Sequence, residues 1–151
     1  MDISHHLLLV IHLLGAAVWV GGHLILSTTI LPEALKRRNP EILTNFEEKY
    51  EKIGMPALII MVITGIWMAY QFGQGFSQWF QFSNPLETVI SLKLLLLLTT
   101  VAFAISARFF VIPKLSSKTL PLMAIHIVAV TILGLAMLVL GSFVRYGGIS
   151  I

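Results

Sequence analysis

The chain has 151 residues, 57% of them hydrophobic and 11% charged, against about 25% charged in an ordinary soluble domain; with a mean hydropathy of +0.91 this excludes a water-soluble fold. The absence of cysteine excludes disulfides, iron–sulfur clusters, thiolate metal sites and cysteine nucleophiles, leaving histidine, methionine, lysine, tyrosine and carboxylates as ligands. The net charge of +3 does not argue for nucleic acid as a partner, because the basic residues gather in two short loops between apolar segments, as membrane topology requires.

Four apolar stretches, at about 5–31, 54–73, 87–113 and 119–145, each approach or exceed the ~20 residues that cross a bilayer as a helix. None shows the alternation of a barrel strand, so the expected fold is all-α: a single domain, 1–151, forming an integral membrane four-helix bundle in contact with the lipid bilayer. No Lys or Arg precedes the first stretch, so it reads as a retained span rather than a signal peptide. The first loop, Pro32 to Gly54, carries Lys36, Arg37, Arg38, Lys49 and Lys52, and the spacing of Glu41, Leu43, Phe46, Glu47, Tyr50 and Ile53 predicts a short amphipathic helix there. The second loop has no basic residue and offers Phe76, Trp79 and Phe80 as an interfacial anchor, while the third carries Lys114 and Lys118 with Arg108 just before it. The positive-inside rule therefore puts the first and third loops in the cytoplasm and both termini outside, in a membrane expected to be the bacterial inner membrane.

Four of the five histidines, His5, His6, His12 and His23, lie in the first stretch, and at about 100° per residue His5, His12 and His23 fall within roughly 20° of one another. Trp19 lies on the same arc, and Gly15, Gly21 and Gly22 allow a neighbour to come close. Imidazoles inside a membrane are costly, so a stacked series of them points to ligation. By depth, His23 and His126 are each about two turns from the cytoplasmic end and form the expected axial ligand pair of a haem b. His12 lies about 16 Å further along its helix, at the depth of Met137 and of Lys93, the one lysine within an apolar run, with Met68 nearer the end of the second stretch. A second haem at His12, with Lys93 as its neighbour, would complete a path across the membrane, although Lys93 could equally snorkel to the interface. Arg108, Arg145 and Lys93 are the basic residues available to haem propionates.

The stretch Ile11-His12-Leu13-Leu14-Gly15-Ala16-Ala17-Val18-Trp19-Val20-Gly21-Gly22 resembles the copper-resistance protein D family of membrane proteins, whose helices carry a histidine followed by a Trp-x-Gly-Gly step. The seven-residue step from His12 to Trp19, with Leu92-Lys93-Leu94, is also similar to the haem-binding J-type protoporphyrinogen oxidase family. That second resemblance implies that His12 binds haem with Lys93 beside it. The chain departs from that family, which follows its Trp closely with a Leu-Pro-Arg element and a further histidine, because Leu31-Pro32-Glu33 comes five residues later than that spacing requires.

The leading expectation is thus a haem b redox protein, a b-type cytochrome with one or two haems held by His12, His23 and His126, which would imply a quinone or a redox protein as its electron partner and is compatible with a homo-oligomer. Copper transport or copper resistance is the alternative, with His5, His6, His12, His23 and the six methionines as a hand-over path. Its difficulty is that Met55, Met61, Met68, Met123 and Met137 look scattered. A membrane oxidoreductase acting on a porphyrinogen, the only enzymatic reading, rests on analogy; hydrolase and nucleotide-binding motifs are missing.

Overall fold

The computed structural model describes residues 3–149, and every regular element among them is helical. The outermost residues of the two termini, expected on the outer side, lie outside the described residues. Four helices are long and apolar enough to span a membrane: α1 (Ile3–Arg37), α2 (Glu41–Gln71), α3 (Pro85–Lys114) and α4 (Leu120–Tyr146). The protein is an all-α integral membrane protein. Large apolar side chains such as Leu13, Ile59, Ile63, Leu98, Ile105, Ile132 and Val139 stand on the outer surface of the bundle, where they meet lipid rather than water.

Two helices run further than the hydropathy pattern predicts. The first loop contains no separate amphipathic helix, because α2 continues unbroken from Glu41 through Gly54 and Pro56 to Gln71. A proline inside a helix costs about 3 kcal/mol, and packing at both sides of it offsets that cost. Leu43 is wholly buried among Leu26, Leu31, Ala34, Val111, Leu120, Met123 and Ile127, and a buried leucine contributes roughly 1.5–3 kcal/mol. The apolar face of this stretch docks on the bundle through Leu43, Ile42 and Phe46 instead of forming a short helix of its own at the membrane surface.

α1 likewise passes the expected end near residue 31 and stops only at Arg38, whose φ of 49° breaks the helix. Within it Leu26–Ile30 form a π-helical turn, the Leu31 N–H bonding to the Leu26 carbonyl just before Pro32. α3 repeats the device, with a π-helical turn at Ala107–Val111 and the Ile112 N–H bonding to Ala107 just before Pro113. Proline offers no N–H to its own turn, and the wider turn lets the chain absorb it without leaving the helix.

α1 and α4 pack together, α2 lies chiefly against α1 and α3 against α4. Near mid-span α1 meets α2 without a side chain at Gly15: a Cβ there would lie 3.0 Å from the Ala57 carbonyl and 3.3 Å from the Met61 Cβ. The close approach gives every side chain just above it on α1 a fixed position on α2. Ala16, Trp19, Val20, Met61 and Val130 make the core below.

Candidate functional site

His12 projects from α1 onto α2. Its Nδ1 lies 3.0 Å from the Thr64 hydroxyl, which itself donates to the Ile60 carbonyl at 2.7 Å. A hydroxyl has one hydrogen, so Thr64 accepts from His12, the imidazole carries its proton on Nδ1, and Nε2 keeps its lone pair. The ring edge rests on Gly65, where a Cβ would come within 3.0 Å of Cε1. A hydrogen bond that fixes the tautomer and a glycine that fixes the ring position are what a metal-ligating histidine needs from its surroundings.

Two thioethers share this face of α2. Met61 and Met68 are both buried, seven residues apart with Thr64 and Gly65 between them, and at 100° per residue all four lie on one stripe about two turns long. Met61 is also next to the His12 ring through its carbonyl. Two of the methionines that look scattered along the chain are thus buried on the α2 stripe that carries Thr64 and Gly65. The signal was present as an i, i+3, i+4, i+7 pattern of Met-Thr-Gly-Met, which is easily passed over as core spacing.

Lys93 comes from α3 to the same level. It lies close enough for its charge to act on His12, and its Nζ would be 3.4 Å from a Cβ at Gly141 of α4. Lys93 points into the bundle, and neither an ion pair nor a hydrogen bond engages it among the described residues.

The other expected ligands have different surroundings. His23 Nδ1 donates to the Trp19 carbonyl at 2.9 Å, again leaving Nε2 with a lone pair, and the ring packs on Trp19 at 4.4 Å and edge-on to Tyr50 at 5.7 Å. Tyr50 donates its hydroxyl to the carbonyls of Trp19 (2.8 Å) and Val18 (3.1 Å), and its ring occupies the space in front of Gly22. His126 turns to α3: Nδ1 donates to the Leu122 carbonyl at 2.9 Å, Nε2 accepts from the Ser106 hydroxyl at 3.0 Å, and the ring packs on Phe103. Both nitrogens of His126 are engaged. α1 and α4 do meet at the His23 level, where the Thr131 hydroxyl reaches the His23 carbonyl at 3.2 Å, yet no ring contact or hydrogen bond joins the two imidazoles among the described residues.

Trp19 is buried with its indole N–H unpartnered. Arg108 sits on the π-helical turn of α3 and reaches Glu51 of α2 at 3.7 Å, both side chains more than half exposed. His5 bonds to Gln71 at 2.6 Å and packs edge-on against Phe72 at the other end of the bundle. Among the described residues no three His, Cys, Asp or Glu side chains converge into a metal site.

The profile of the copper resistance protein D family matches residues 44–146. That stretch covers α2, α3 and α4, with Met61, Thr64, Met68, Lys93 and His126, and leaves out α1. No curated protein and no solved structure matches the chain significantly.

Proposed function

We propose, from the premise that the chain belongs to the copper resistance protein D family, that it handles copper within the membrane and that His12, Met61 and Met68 hold the ion in passage. The observation that carries this reading is the His12 imidazole, held through Nδ1 by Thr64 and resting on Gly65, on an α2 stripe that also carries the buried Met61 and Met68. Thioethers and a neutral imidazole form a soft donor set, which favours Cu(I) over the harder divalent ions. The uncharged ligands suit a site surrounded by lipid, where an unpaired carboxylate would be costly. His23, with its own free Nε2 nearer the opposite end of α1, provides a second station about 16 Å away along the helix.

Haem b at the same level is the second reading, and Lys93 favours it: an unpaired lysine beside His12 would suit a propionate. The earlier pairing of His23 with His126 gives it less support, since His126 has both nitrogens committed within the chain. A quinone or a redox protein as partner belongs to this haem reading, whereas a homo-oligomer suits either. One preparation separates the two. Protein purified from cells grown with added copper should contain about one copper per chain, lowered several-fold in His12→Ala, with no pyridine haemochrome signal. Stoichiometric haem, lost in His12→Ala, would overturn the copper reading.

A further inference from the structure

The loop-ward halves of α1 and α2 border a groove of about 520 Å³, within the roughly 300–1,000 Å³ of ligand pockets, lined by Ala17, Gly21 and Ile25 of α1 and Phe46, Lys49 and Ile53 of α2. The lining is apolar except for Lys49. Tyr50 closes one wall by packing over Gly22, whereas nothing lies within 4 Å of a Cβ placed at Gly21, so the floor is open. Lys49 is exposed at the rim and makes no ion pair or hydrogen bond among the described residues. Glu47 and Glu51 do not neutralise it, because at about 200° from Lys49 they stand on the other side of α2, where Glu51 meets Arg108.

We infer that this groove binds one anionic phospholipid, with an acyl chain along Ala17, Gly21 and Ile25 and the phosphate at Lys49. The groove belongs to membrane-spanning helices and faces outward, so acyl chains surround it. Lys49, the one cation among the residues that line the groove, stands at the end adjoining the other basic residues of the first loop, the level at which headgroups meet a spanning protein. Apolar walls with one cationic rim complement an amphiphile with one negative charge. A zwitterionic lipid would leave its own cation beside Lys49. This inference is independent of what His12 holds.

Native mass spectrometry of the detergent-solubilised chain, titrated with phosphatidylglycerol or with phosphatidylcholine of the same acyl chains, tests it. Wild-type protein should retain one phosphatidylglycerol and bind phosphatidylcholine at least about fivefold more weakly, the effect of one lysine near anionic lipid. Gly21→Leu, which fills open space, should abolish the bound species, and Lys49→Ala should weaken it about fivefold, while Lys118→Ala at the third loop should match wild type. Equal retention of the two lipids would overturn the inference, as would wild-type binding by Gly21→Leu or a Lys49→Ala loss no larger than that of Lys118→Ala. A wild-type dimer that Gly21→Leu splits would assign the groove to a second copy and overturn it too.

Discussion

His12 on the first helix donates its Nδ1 proton to Thr64 on the second, 3.0 Å away, because the Thr64 hydroxyl spends its own hydrogen on the Ile60 carbonyl. Thr64→Val keeps the volume and removes the acceptor. Metal ligands that lose such an orienting partner bind about 10–100-fold more weakly, so Thr64→Val should lower Cu(I) affinity by that factor in a competition titration, and Thr64→Ser should restore most of it. Equal affinities in Thr64→Val and wild type would show that the hydrogen bond orients nothing.

Lys93 distinguishes the two cofactor readings by the sign of its effect. A cation within reach of His12 repels Cu(I) but attracts a propionate. Lys93→Met should therefore raise copper affinity, by more than about tenfold for a like charge in a protein of intermediate polarity. A lower copper affinity in Lys93→Met would contradict the charge argument.

Gly22 and Tyr50 act as one packing unit. Tyr50→Phe removes hydrogen bonds and should cost about 0.5–1.5 kcal/mol. Gly22→Ala drives the ring from its place and should cost about 1–3 kcal/mol as overpacking. Because the two residues touch, Gly22→Ala combined with Tyr50→Ala should cost less than the sum of the single changes, as read from reversible unfolding in detergent. Strict additivity would remove the contact from the account.

Topology follows from the loop charges: a reporter inserted within 36–52 or 114–118 should be active as a cytoplasmic fusion, and one in the second loop as an external fusion. An active cytoplasmic reporter in the second loop would invert the orientation.

The helices were legible because span length and loop charge are properties of composition, visible in any window of the chain. Their ends were less so: the amphipathic stretch runs unbroken through Gly54 and Pro56 into the second span, and its anchor, Leu43 in the core, depends on contacts with other helices. Helical period found His12, and depth brought Lys93 to its level, but both are statements about one helix at a time. Depth also offered Met68, but Thr64, Gly65 and Met61 became visible only when the approach at Gly15 fixed how α1 lies on α2. Likewise, equal depth suggested His23 and His126 as a pair, while rotation about α4 turns His126 toward Ser106, and depth carries no information about rotation.

Copper K-edge X-ray absorption of the Cu(I)-loaded protein addresses the proposed site most directly, because it reads the ligand atoms themselves. Wild type should show sulfur scatterers together with an imidazole, the sulfur contribution should fall in Met61→Leu/Met68→Leu, and the imidazole contribution should fall in His12→Ala. A spectrum of nitrogen and oxygen alone, unchanged by these substitutions, would contradict a site built from His12, Met61 and Met68.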